Sequence, residues 1–194
     1  MLHWAPITMR PTVAAPLLVA LVGVGLAVGL GAPGLRADAD PYAALMLTRV
    51  TPSIEGQDFT VPRLGGGSLS LAAYRGQVVF LNFWATWCVP CRVEMPAMER
   101  LYGRLRDKGL VVLAVSIDAD ADPEPVRLFV REHRLTFPVG LDRKLRVVNL
   151  YGVRALPSTL LLDRSGRIVA RAFGIREWDG ADAVALLEEL LARK

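Results

Sequence analysis

Cysteine is scarce in this chain, and the scarcity excludes a good deal. Cys88 and Cys91 are the only two in 194 residues, so no disulfide can join distant parts of the fold, and stability has to come from packing. A structural zinc ion needs four ligands, and beyond the two sulfurs the histidines on offer are His3, in the N-terminal tail, and His133. Zinc is left short. Covalent haem requires a histidine directly after the second cysteine, where this chain has Arg92. Charge of one sign is also scarce: the net charge is +4, with no lysine or arginine block and no basic stretch interleaved with aromatics. That argues against nucleic acid as a partner. A modest basic surplus suits solubility, or at most an acidic partner.

One segment has no charge at all. From Pro11 to Leu35 the only polar side chain is Thr12, and the run exceeds the ~20 apolar residues needed to cross a bilayer. Arg10 precedes it, while Arg36, Asp38 and Asp40 follow. This bias puts the short N-terminus in the cytoplasm and the remainder outside. Ala37-Asp38-Ala39 resembles a processing site, so residues 1–36 read as a retained membrane anchor or, if cleaved, a signal peptide. Residues 37–56, mixing Ala, Asp, Pro and Gly, read as a linker. Residues 57–194 are enough for one domain with a sizeable core and too few for two.

What is present is concentrated at the cysteines. They sit three apart in Phe83-Trp84-Ala85-Thr86-Trp87-Cys88-Val89-Pro90-Cys91, directly after the apolar run Val78 to Phe83. A strand feeding a Cys-x-x-Cys pair at a helix start gives the two sulfurs unequal surroundings. Cys88 would lie at the helix N-terminus, where unpaired N–H groups and aligned peptide dipoles favour a thiolate, and Arg92 adds a cation four residues on. Cys91 lies a turn further in, placed to attack a mixed disulfide formed by Cys88. As a mere staple the bridge would close a four-residue loop and contribute only about 2 kcal/mol. The pattern points to thiol-disulfide exchange, with Cys88 as nucleophile and Cys91 as resolving thiol, and no cofactor besides the redox-active pair.

The remaining pattern is of alternating strands and helices. Short strands near Phe59 to Val61 and Ser68 to Leu71, around Gly65-Gly66-Gly67, form a hairpin. Val78 to Phe83 is a buried central strand interrupted only by Asn82. A helix from Val89 to Lys108, closed by Gly109, puts Cys91, Glu94, Met98, Leu101 and Leu105 on one face, with Pro96 expected to kink it. There follow a strand at Val111 to Ile117, an acidic loop, a helix over 124–134, a strand at 137–141, a short helix over 144–150, a hairpin of 159–162 with 167–172, and a last helix over 182–192. The order predicts an α/β fold whose mixed central sheet is flanked by helices.

The run Asn82 to Pro96 resembles the thioredoxin fold, and within it the TlpA/ResA-like, DsbE-like, membrane-anchored periplasmic thiol-disulfide oxidoreductases. Gln57-Asp58-Phe59-Thr60, Leu71 to Gly76, Val153 to Thr159 and the helical insertion over 124–134 extend the resemblance over nearly all of residues 57–192. It implies that Pro157 is a cis-proline beside the dithiol, that Leu156 offers backbone hydrogen bonds to a partner peptide, and that Trp87 and Pro90 contact the partner. It implies exported disulfide proteins as substrates, of the cytochrome c maturation or copper-site assembly kind, and a membrane electron donor of the thiol-transporter type. Where cytosolic thioredoxins carry a buried aspartate, this strand has Asn82, which cannot titrate. Glu94 lies three residues beyond Cys91 on the inward face, where burial raises a carboxyl toward a usable general base; its competing role is to satisfy the helix dipole or pair with an arginine. Two rival functions share the sequence: a disulfide-introducing oxidase, and a copper metallochaperone drawing a third ligand from His133, Met95 or Met98.

Overall fold

The computed structural model describes residues 40–193 apart from residue 121. The expected anchor, residues 1–36, lies outside them, and no helix among the described residues is long and apolar enough to cross a membrane. The chain enters through a short helix, α1 (Pro41–Ala44), whose first turn is capped by Asp40 accepting from the Tyr42 N–H at 3.1 Å. β1 (Thr48–Glu55) follows, pairs antiparallel with β8 (Arg167–Phe173), and forms one edge of the sheet. Residues 41–55, expected to belong to a linker, are therefore part of the fold. An edge strand takes its stability from backbone pairing on one side, and it tolerates proline. Thr48-Arg49-Val50-Thr51-Pro52-Ser53 consequently looks like a tether in composition while serving as a strand. Tyr42, Leu45 and Leu47, all buried, pin the segment to the core.

β2 (Thr60–Pro62) and β3 (Ser68–Ser70) make the small hairpin expected before the main sheet. Then come β4 (Val78–Trp84), α2 (Val89–Leu105), β5 (Leu110–Ser116), α3 (Glu124–Glu132), β6 (Val139–Leu141), α4 (Arg146–Leu150), β7 (Ser158–Leu162), β8 and α5 (Ala181–Ala192). A single 3-10 turn at Arg106–Lys108 closes α2 onto Gly109, whose φ of 98° no β-carbon tolerates well. The helix runs on through Pro96. Sheet order is β1-β8-β7-β4-β5-β6, with β4, β5 and β6 parallel and the β8-β7-β4 side antiparallel.

Both faces of the sheet are covered, because successive side chains of a strand point to opposite sides. Along β4, Val78, Phe80 and Trp84 join the cluster under α1, α2, α3 and α5, while Val79, Leu81 and Phe83 join the cluster under the β2–β3 hairpin and α4. Asn82 shares the parity of Phe80 and Trp84. It therefore faces α2, and a slip of one residue would turn it away from the cysteine helix.

Candidate active site

The dithiol is built where β4 hands over to α2. Cys88 is the N-cap of α2 in extended conformation, and its Sγ accepts from the Cys91 N–H at 3.3 Å. Pro90 stands in the first turn, where its missing N–H deprives the helix of nothing. The two sulfurs are joined as a disulfide. They differ in accessibility, with Cys88 6% exposed and Cys91 fully buried. Of the two residues, only Cys88 keeps any exposure to solvent. Arg92, expected beside Cys88 as a cation, is exposed and lies over the Phe129 ring of α3, 5.9 Å from its centroid.

The loop before Cys88 is held from β5. Asp118 accepts from the Thr86 N–H at 3.2 and 3.1 Å through its two oxygens, from the Thr86 hydroxyl at 2.5 Å and from the Ser116 hydroxyl at 2.7 Å. Nothing in the sequence separates Asp118 from Asp120 and Asp122 of the same acidic loop; the distinction is that its side chain turns inward.

Behind Cys91, Glu94 is 2% exposed. One carboxyl oxygen accepts from Asn82 Nδ2 at 3.0 Å, and the other from Trp178 Nε1 at 3.2 Å and from the Arg176 N–H at 3.4 Å. Asn82 also donates to the Thr159 hydroxyl of the neighbouring strand at 3.0 Å. Burial disfavours the charged form and pushes Glu94 up to about 7, against the pull of the Asn82, Trp178 and Arg176 hydrogen bonds and the Arg176 charge. The burial expected of Glu94 is present, and so is an arginine near it. Sequence reasoning missed Trp178 and Arg176, which reach the carboxyl from the far half of the chain, and Thr159, which holds the Asn82 amide that bonds it. No periodicity links them to the cysteines. Trp178 is itself fixed edge-on against Phe80, with ring centroids 4.7 Å apart.

On the outer side, Trp87 is 66% exposed and lines an apolar groove with Ile117, Leu145, Val148, Val153 and Leu156. The Leu156–Pro157 bond is cis. Pro157 is buried and its carbonyl accepts from the Gly174 N–H at 2.8 Å. Among the described residues, neither backbone group of Leu156 finds a hydrogen-bond partner.

For a metal the fold offers little. Among the described residues no three His, Cys, Asp or Glu side chains gather as a cation would need. Met95 and Met98 lie in the core, and the His133 ring stacks on Phe129 with centroids 4.2 Å apart.

Known proteins resemble this chain in sequence and in fold. The pattern of the AhpC/TSA family matches residues 54–171. Among curated proteins, a thiol-disulfide oxidoreductase ResA of Bacillus thuringiensis is 40% identical over 120 residues, covering 62% of this chain and 68% of the relative. The ResA of Geobacillus thermodenitrificans is 42% identical over 122 residues, with 62% and 68% covered. Among solved structures, a Chlorobium tepidum protein taken to be the thiol:disulfide interchange protein DsbE superposes with a TM-score of 0.63 at 34% identity, over 72% of this chain and 95% of that one. A helix-capping Cys88 bonded to a buried Cys91, on a mixed thioredoxin-like sheet, agrees with those relatives, and the chain belongs to the AhpC/TSA family as a thiol-disulfide oxidoreductase.

Proposed function

We propose that the protein is a reductant of disulfides in exported proteins, of the cytochrome c maturation or copper-site assembly kind, held outside the cytoplasmic membrane by the apolar segment 11–35. The observation that carries the chemistry is the unequal exposure of the two cysteines, 6% against none. In the reduced form, the Cys88 thiolate attacks one sulfur of the target disulfide, and the other target sulfur leaves as a thiolate. Cys91 then attacks Cys88 Sγ, breaking the mixed disulfide and expelling the second target thiolate. Two electrons have passed to the target, and the pair ends as the Cys88–Cys91 disulfide. A membrane donor of the thiol-transporter type restores the dithiol.

Glu94 takes the proton that Cys91 must lose before it attacks, directly or through water. A carboxyl near 7 is half ionised at neutral pH, which suits a group that must accept a proton and release it again. Trp87, Pro90, Leu156 and Pro157 form the contact surface for the partner. The apolar groove takes its side chains, and the two free backbone groups of Leu156 pair with its extended chain.

The test is a Cys91→Ser variant expressed in the native membrane. Cys88 still attacks but cannot be released, so the substrate stays covalently attached and is identified by mass spectrometry. A measured potential nearer thioredoxin's, about −270 mV, supports the reducing direction, whereas one near that of DsbA, about −120 mV, would make the protein an oxidase.

A further inference from the structure

The segment before β1 reaches the active site through a single side chain. Arg176 lies in the turn between β8 and α5, half-buried. Its Nε donates to the Leu45 carbonyl at 2.6 Å and its Nη2 to the Met46 carbonyl at 3.0 Å, both just ahead of β1. Its Nη1 donates to the carbonyl of Ile175 at 2.8 Å. The same residue's backbone N–H is one of the three donors on Glu94. One guanidinium thus grips two consecutive carbonyls of the N-terminal segment while its own main chain touches the carboxylate behind Cys91. The planar fork of arginine supplies a separate nitrogen for each carbonyl, where lysine has a single one. Met46 has a φ of 50°, and its side chain is 70% exposed, so the residue is tied to the fold here through its carbonyl. Tyr42, Leu45 and Leu47 are buried on either side, so the gripped loop is fixed to the core at both ends.

On the reading of Glu94 as proton acceptor, we propose that Arg176 is a positioning residue that makes residues 41–47 part of the redox site, clasping them to the turn that holds Glu94. The domain begins, for function, at residue 41 and not at the hairpin. Charged groups close to Glu94 are few. Arg176 is the cation whose field acts on it, while Arg100, Glu177 and Asp179 line the same surface groove, Arg100 and Asp179 being paired at 2.6 Å. Asn82 and Trp178 face it without titrating, and Cys91 lies on its own helix. The clasp has two effects on the carboxyl: it aims a backbone donor at it, and it keeps the positive charge nearby. Both favour ionised Glu94, so releasing the clasp raises the pH at which Glu94 gives up its proton.

The test uses the full-length chain, with Glu94 followed directly through its side-chain carboxyl carbon by NMR and residues 42–47 by amide exchange. In Arg176→Met the midpoint of Glu94 rises and exchange over 42–47 quickens by at least about tenfold, as local opening becomes easier. Arg176→Lys keeps a cation but offers one mobile nitrogen in place of the rigid fork's two. The segment therefore still loosens, and the Glu94 midpoint stays above the parent value. Reduction of a model disulfide at pH 7 slows about twofold in Arg176→Met, the change in ionised fraction for a rise of roughly half a pH unit. Two results would overturn the proposal: an unchanged Glu94 midpoint in Arg176→Met, or a midpoint fully restored by lysine while the segment stays loose, since charge alone would then account for the effect. A midpoint that moves with no change in rate supports the clasp and counts instead against Glu94 as the base.

Discussion

The two sides of the Cys88–Cys91 bond are built from different materials. Outside stand Trp87, Val89, Pro90 and Leu156, apolar and largely open to solvent, with few hydrogen bonds to fix them. Inside stand Asn82, Glu94, Thr159 and Trp178, buried and joined by hydrogen bonds between 3.0 and 3.2 Å. The outer side can be altered without opening the core, because its side chains stand largely in solvent. The inner side cannot, because the Glu94 carboxyl, the Asn82 amide N–H, the Thr159 hydroxyl and the Trp178 indole N–H depend on one another for hydrogen bonds that water would otherwise supply, while Asn82 Oδ1 has no partner among the described residues. On the proposed function, specificity for a partner belongs to the rim, and proton handling to the wall behind it.

The sulfurs themselves give the sharpest contrast. Cys88→Ser removes the accessible nucleophile, and disulfide reduction falls by about 10³-fold or more in a stopped assay with a model disulfide. Cys91→Ser leaves the first attack intact and instead accumulates mixed disulfide, visible as a mass increase on the intact protein. Equal loss of the first attack in both variants would erase the distinction between outer and inner sulfur.

On the inner wall, the pH dependence of stability isolates Glu94. Burial holds its carboxyl near 7 where an unburied side chain sits at 4.5, so between those values the folded protein retains a proton that the unfolded chain has released. This contribution is fully present below about pH 4.5 and is lost as the pH climbs through 7, by at most about 3 kcal/mol. Glu94→Gln removes that slope, and denaturant unfolding of the oxidised protein at pH 5 and pH 8 measures it. The same variant slows resolution by Cys91 by about tenfold at pH 7, if general-base help is withdrawn.

Asp118 tests whether a second buried carboxylate behaves as Glu94 does. Its partners are the Thr86 N–H and two hydroxyls, so it ties loops together. Asp118→Ala leaves those donors unpaired and destabilises the fold by about 2 kcal/mol, read as a lower denaturant midpoint. The pH profile of Cys91 resolution stays at the parent position.

The smallest effect belongs to the rim. Trp87→Ala shifts stability by no more than about 0.5 kcal/mol, as expected at an exposed position, and raises KM for a protein disulfide several-fold while leaving kcat near the parent value. A change confined to kcat would move Trp87 from partner contact to chemistry.

Much of this was legible before any coordinates. The apolar run ending in Cys88-Val89-Pro90-Cys91 marked the strand, the helix start and the pair, because a buried strand and a helix N-terminus leave local signatures. The 3.6-residue spacing of Cys91, Glu94, Met98, Leu101 and Leu105 placed Glu94 on the buried face, since that periodicity is a property of the helix alone. Residues 41–55 were misjudged as linker for the opposite reason. An edge strand held by β8 from the far end of the chain carries no periodic signal of its own.

By itself, then, the sequence determined which sulfur caps a helix, which carboxyl lies beneath it, and the order of strands and helices from the hairpin onward, all of which follow from interactions a few residues apart. Only the tertiary structure decided what meets that carboxyl. Asn82 comes from β4, Trp178 and Arg176 from beyond β8, and the Leu45 and Met46 carbonyls that hold the Arg176 side chain from ahead of β1. Their convergence depends on the register and order of the sheet, which sum contacts over the whole chain and leave no trace in any short stretch of it.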